Sequence, residues 1–208
     1  MDNLPKKIPI FPLRGVIFFP ETHLPLNIFE NRYLKMVNDT LKNNKFLGMI
    51  QSKKVNGEVY NIGCLGKIDE HNRTEDGRIL INLKGINRFQ IDKEITNNEP
   101  YREFSVKYDL FKDDANEKKV DVTKEKLNEL ISNSKIFFKK NGILINWLAL
   151  SKLSAQKQIY NLAMISPISV EEKQKLIEVV KLDDVANILN EITKFSFYED
   201  LGQKKILQ

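Results

Sequence analysis

The chain has 208 residues, 41% hydrophobic and 29% charged, with a formal net charge of +5. That balance fits a globular protein and excludes collagen, a continuous coiled coil and wholesale disorder. The single cysteine, Cys64, excludes an internal disulfide and fits a reducing compartment. At roughly 150 residues per domain, the length allows one large domain or two small ones. The basic excess is spread out: 17 Lys/Arg against 14 Asp/Glu up to residue 110, and 16 against 14 beyond it. Such an even distribution argues for a solvated surface rather than a nucleic-acid footprint. The start of the chain has no apolar stretch of signal-peptide length. Its most apolar window, Ile143 to Leu150, is broken by Asn146 and too short to span a bilayer. A cytoplasmic protein without membrane contact is expected.

In chain order, the first half reads as strands. Ile8, Ile10 and Leu13 lie among Pro5, Pro9 and Pro12, a pattern suited to a sheet edge or barrel rim. The apolar run Val16-Ile17-Phe18-Phe19 ends at Pro20, and a second extended piece covers His23 to Phe29. The period then changes. Tyr33, Met36, Val37 and Leu41 fall at helical spacing, which predicts an amphipathic helix from Glu30 to about Lys42, ended by Asn43-Asn44. Strand signals return at Phe46–Ile50 and Tyr60–Ile68. Asp76-Gly77 marks a hairpin turn, Ile79, Ile81 and Leu83 alternate, and Phe89 and Ile91 begin another strand. Phe104, Val106, Tyr108 and Leu110 make a period-two run. Six or more such strands suggest a closed or nearly closed antiparallel barrel.

The charged stretch Lys112 to Lys119 reads as the domain boundary. Beyond it the period is helical. A helix is predicted from about Asp121 to Lys140, stopped by Asn141-Gly142, with Leu127, Leu130, Ile131, Phe137 and Phe138 on one face. Trp147, Leu148 and Leu150 form a short helix, and Ser154 caps the next. Ser166-Pro167 breaks the chain, and Ser169 to Glu172 fits a capping box. Asp183 is expected to cap the last helix, whose face includes Val185, Leu189 and Phe195. A tail is expected from about Tyr198.

Catalytic chemistry finds little support. The two histidines, His23 and His71, and one cysteine fall short of a zinc ligand set. Cys64 with His71, or Ser132 and Ser154 with lysines three residues on, would be the residues of a hydrolase. Cys64 reads better as a buried strand residue and Ser154 as a helix cap. Gly63-Cys64-Leu65-Gly66-Lys67 lacks the spacing of a phosphate loop. Arg88-Phe89, Arg32-Tyr33 and Tyr101-Arg102 could stack on bases, but Phe89 and Tyr33 already fit apolar faces. No cofactor is implied.

Several ordered motifs go further. They are Pro9-Ile10-Phe11-Pro12-Leu13-Arg14, Val16 to Pro20, and Leu24-Pro25-Leu26-Asn27-Ile28-Phe29-Glu30-Asn31-Arg32-Tyr33. Later come Tyr60-x-Ile62-Gly63, Glu75 to Arg78, Leu83-Lys84-Gly85-x-x-Arg88-Phe89 and Pro100-Tyr101. Ala163 to Pro167 and Glu172 to Glu178 complete the set. Together they resemble the Lon protease N-terminal domain family in its stand-alone bacterial form. The resemblance covers residues 8 to about 197.

It implies an α+β protein, a PUA-like antiparallel β-barrel with an inserted helix followed by a C-terminal helical bundle. Expected bounds are 1–111 for the barrel, 112–120 for a linker and 121–208 for the helical domain with its tail. It implies non-catalytic binding of unfolded or extended polypeptides, or of a specific protein partner, as an adaptor in proteolysis or quality control. The family's ATPase and protease modules are not matched, so those activities are not expected. An RNA-binding PUA-like module is the alternative. The expected polypeptide-binding surface is the polar helix start, Glu30, Asn31, Arg32 and Lys35, with the rim around His23 and Leu24. The oligomeric state is left open.

Overall fold

The structure, a computed structural model, describes residues 4–54, 57–114 and 122–206, with side chains to residue 194. Two compact units divide the chain, Met1–Lys118 and Lys119–Gln208. Of the expected linker, residues 115–120 lie outside the described residues, as do the helix start at Asp121 and the side chain of Phe195.

The first unit holds six strands: β1 (Lys7–Leu13), β2 (His23–Ile28), β3 (Phe46–Ser52), β4 (Val59–Arg73), β5 (Ile79–Ile95) and β6 (Arg102–Lys107). They are ordered β2-β5-β4-β3-β1-β6, and a further pairing of β5 with β6 closes a ring. Closure leaves β2 as an appended edge strand, where Pro25 removes one ladder donor at no cost to the ring. The ring is antiparallel except at β1–β3, which run parallel with Leu13 opposite Gln51. Inside it Ile8, Ile10, Ile50, Leu65, Phe89, Phe104 and Val106 form one cluster, each at most 3% exposed. Burial of each such side chain contributes roughly 1.5–3 kcal/mol.

Two expectations about the strands are corrected. The residues from Ile79 to Ile91 lie in one 17-residue strand, Ile79–Ile95, rather than in two. Its first part pairs with β2 and its last part with β6, so a single strand serves both the appended edge and the ring. The apolar run Val16–Phe19 is not a strand. Ile17, Phe18 and Phe19 are buried in a loop, whose backbone is satisfied where Glu21 N donates to Gly85 O at 3.0 Å and Gly85 N to Thr22 O at 2.9 Å. Only glycine admits this approach, because a Cβ on Gly85 would stand 2.0 Å from the Phe19 carbonyl oxygen. The Asp76-Gly77 turn joins β4 to β5 with Gly77 at φ +85°.

The inserted helix α1 (Asn31–Lys42) buries Tyr33, Met36 and Val37 of the expected stripe, but its fourth buried residue is Thr40, while the expected Leu41 is half-buried. Glu30 is its N-cap. Where a linker was expected to begin, the chain instead stays locked to the barrel. A 3-10 turn (Asp109–Phe111) buries Phe111. Asp114 then takes hydrogen bonds from Arg88 N and Nε at 2.9 Å, and from Nη2 at 2.7 Å.

The second unit has helices α2 (Lys124–Lys140), α3 (Trp147–Ser151), α4 (Ala155–Ile165), α5 (Val170–Glu178) and α6 (Leu182–Ile206). Leu130, Phe138, Ile159, Leu162, Leu176 and Leu189 are buried in it. Ser154 accepts a hydrogen bond from Lys157 N as a cap, and Ser169 with Glu172 forms the capping box. Asp183 is not the cap of α6. It lies in the first turn, where its carboxylate pairs with Lys126 of α2 at 2.5 Å. No tail begins at Tyr198, since α6 continues to Ile206.

Candidate functional site

One cavity of about 270 Å³ opens on the barrel unit. Three chain segments build it. The end of β1 supplies Ile10, Pro12 and Leu13, with Arg14 just beyond. The start of α1 supplies Glu30, Arg32 and Tyr33. The start of β6 supplies Arg102, preceded by Pro100 and Tyr101. Ser52 and Gly57 close the far side. The aromatic wall is rigid. Tyr33 packs edge-on to Phe11 with ring centroids 4.3 Å apart, and its phenol pKa is pushed up by burial.

The polar rim is held by named pairs. Arg32 lies 4.5 Å over the Tyr33 ring and donates to Glu30 at 2.8 Å. Arg102 donates from Nε and Nη2 to the two oxygens of Glu94 at 2.7 and 2.8 Å, a fork-to-fork pair. That bonding holds Arg102 above and Glu94 below their usual pKa values. Lys35 sits 2.7 Å from Asp39 and 2.6 Å from Glu99. Tyr101 Oη donates to the same Asp39 at 3.0 Å. Hydrogen bonds from Lys35 and then Tyr101 lower the Asp39 pKa, and the Lys35 pKa rises through its bonds to Asp39 and Glu99.

The six expected site residues are therefore not one surface. Glu30 and Arg32 line the cavity. Lys35 fixes its Tyr101 wall from behind, and Asn31 is exposed beside it. His23 and Leu24 begin β2, five strand steps or about 17 Å from its other end at Ile28. There His23 approaches Asp69 at 3.9 Å. Sequence reading did not group Arg14, Tyr101 and Arg102 with the helix start, although Tyr101-Arg102 stood among the base-stacking candidates. Pro12-Leu13-Arg14 and Pro100-Tyr101 were visible as motifs, but their meeting depends on strand pairing.

The lining contains neither histidine nor cysteine. Cys64 is fully buried in β4, where desolvation pushes its thiol pKa well above the ordinary value. His71 is seven residues along the same strand, about 23 Å away. The two do not form a dyad. Arg88 and Phe89, offered as a base-stacking pair, are 1% and 0% exposed. Among the described residues, no group of three or more His, Cys, Asp or Glu could hold a metal, and no helix is long and apolar enough to cross a membrane.

A family model described as the ATP-dependent protease La (LON) substrate-binding domain matches residues 7–194. A Lon protease of Dictyoglomus thermophilum is 26% identical over 206 residues, covering 93% of this chain and 24% of that protein. A Lon protease of Flavobacterium johnsoniae is 30% identical over 112 residues, covering 51% and 14%. The chain thus spans a quarter or less of these curated relatives. Two solved structures share its fold. The Lon N-terminal domain protein from Xanthomonas campestris aligns with a TM-score of 0.64 at 18% identity, covering 88% of this chain and 96% of that one. The N-terminal domain of Mycobacterium avium complex Lon protease aligns at 0.65 and 14%, covering 91% and 98%.

Proposed function

This chain belongs to the Lon substrate-binding domain family, and from that premise we propose that its barrel unit binds extended segments of unfolded polypeptide without catalysing a reaction. The reading extends to an adaptor role in proteolysis or quality control. Its main support is the cavity at the start of α1, which sets an apolar floor of Pro12 and Leu13 inside a rim of charged side chains. That combination suits short peptide segments, since apolar contact supplies affinity and a few polar groups supply orientation.

The test is fluorescence anisotropy of the purified chain with labelled casein and with labelled single-stranded RNA, each at low and high salt. Casein binding that survives salt, and weakens in Arg32→Ala and Lys35→Ala variants of unchanged circular dichroism, is expected. RNA binding that collapses with salt, with no casein binding, would overturn the proposal in favour of a nucleic-acid module. Failure of both ligands would remove it.

A further inference from the structure

We infer that the cavity at the start of α1 receives the C-terminal residue of an extended polypeptide, its free carboxylate held by Arg14 and its apolar side chain laid on the half-buried Pro12 and Leu13. The inference names the ligand class of the proposed polypeptide site and rests on that reading. Charge is the first argument. Three guanidinium groups, Arg14, Arg32 and Arg102, line the cavity against one carboxylate, Glu30. Two of the three already face acids, Arg32 with Glu30 and Arg102 with Glu94. Arg14 differs. Its Nη1 donates to the carbonyl of Lys53 and, among the described residues, it forms no ion pair. A carbonyl holds the group in place but leaves its charge unneutralised. A guanidinium has five N–H donors, and its fork matches a carboxylate with two parallel bonds.

Size and connectivity select the source of that carboxylate. A cavity of about 270 Å³ lies at the small end of ligand clefts and takes one or two residues rather than a folded surface. An internal acidic residue brings its carboxylate on a side chain while the main chain must continue in both directions. A C-terminal residue carries carboxylate and side chain on one Cα, with the main chain leaving by one exit. This arrangement matches a cationic group set directly after the apolar, half-buried Pro12 and Leu13 of the same strand. Chain ends are also among the first segments that a frayed or unfolding protein exposes.

The test uses the full chain and three fluorescein-labelled peptides of about ten residues ending in leucine. One has a free C-terminus, one is amidated, and one is amidated with an aspartate before the leucine. The free acid is expected to bind about tenfold more tightly than either amide. Arg14→Gln should bring the acid-to-amide ratio to within about twofold, and Arg14→Lys should keep part of it. Glu30→Gln should widen the ratio by removing the competing carboxylate; Glu30 makes no side-chain cap bond, so α1 is spared. Equal binding of free acid and plain amide overturns the inference while leaving polypeptide binding standing. An aspartate amide that binds as tightly as the free acid overturns it in favour of internal acids. A full ratio retained in Arg14→Gln removes Arg14 from the site. Failure of all three peptides while casein binds also overturns it, and failure of casein as well removes the underlying reading.

Discussion

Replacing Asp114 by asparagine tests whether the segment after β6 is bound to the barrel by a buried charge pair. Arg88 and Asp114 side chains are 1% and 7% exposed, and the carboxylate accepts from Arg88 N, Nε and Nη2 at 2.7 to 2.9 Å. An exposed pair would contribute at most about 1 kcal/mol. Here the burial decides otherwise, because breaking a buried charge pair by removing the charge of one member costs about 3–5 kcal/mol. The Arg88 guanidinium also lies 4.2 Å over the Phe111 ring and 5.9 Å from that of Phe19. Those contacts survive the change and are worth up to about 2 kcal/mol, so the expected loss is near the lower end, about 3 kcal/mol. The readout is hydrogen exchange of β4 and β5 amides through a urea series, since the single tryptophan, Trp147, belongs to the helical unit. The double variant Arg88→Met with Asp114→Leu should recover only part of the loss, since an apolar pair removes both side-chain desolvation costs but takes the Asp114 acceptor away from the Arg88 backbone N–H. A loss below about 1 kcal/mol in Asp114→Asn would refute the reasoning, because it would mean that Arg88 is satisfied without the carboxylate.

Two further outcomes follow from packing. Gly85→Ala places a Cβ 2.0 Å from the Phe19 carbonyl oxygen and 2.8 Å from its carbon. Both are backbone atoms with no rotamer to yield, so a loss of about 3 kcal/mol or more is expected; an unchanged urea midpoint would contradict it. Cys64 should resist thiol reagents at about pH 8 in native buffer and react once urea is added, because burial suppresses its thiolate. Stoichiometric labelling of the native chain within minutes would instead restore Cys64 as a candidate nucleophile.

Local features of the fold were legible because local physics decides them. The stripe Tyr33, Met36 and Val37, the Asp76-Gly77 turn and the caps at Ser154 and Ser169 each depend on residues within one or two turns. The apolar run at Val16–Phe19 misled for a physical reason. Its burial comes from packing on distant strands, Phe18 against Gly66 and Phe19 against Gly85, and the bonds with Gly85 that hold the loop come from Glu21 and Thr22, more than 60 residues before it in the chain. Asp183 looked like a cap, but tertiary pairing with Lys126 places it one step inside the helix. The site was half legible. Glu30 and Arg32 are adjacent in sequence and in space. His23 and Leu24 were grouped with them by sequence proximity, but an extended strand carries neighbours in sequence far apart. Arg14 and Arg102 are separated by most of the barrel sequence and meet only because Ile10 pairs with Arg102 across β1–β6.

The cavity lies where it does because of the one parallel pair in the ring. Antiparallel neighbours can be joined by a two-residue turn that closes the sheet end, whereas a parallel pair requires a crossover. Between β1 and β3 that crossover is β2 and α1 together. After β1 the chain leaves to pair with β5, then returns through α1 to lay β3 beside β1. Leu13 and Gln51 are register partners, so β1 and β3 end side by side, and their next residues, Arg14 and Ser52, both line the cavity. β6, antiparallel to β1, begins at the same end with Arg102. Three strand ends thus meet the first turn of the crossover helix. Beyond a strand end the ladder bonds stop and side chains diverge, leaving a concavity whose polar groups look for partners. The same reasoning places ligands at the carboxyl ends of parallel strands in α/β sheets. A hairpin from β1 to its neighbour would have filled that mouth with a turn, and Arg14, Glu30 and Arg102 would have had no common space to face.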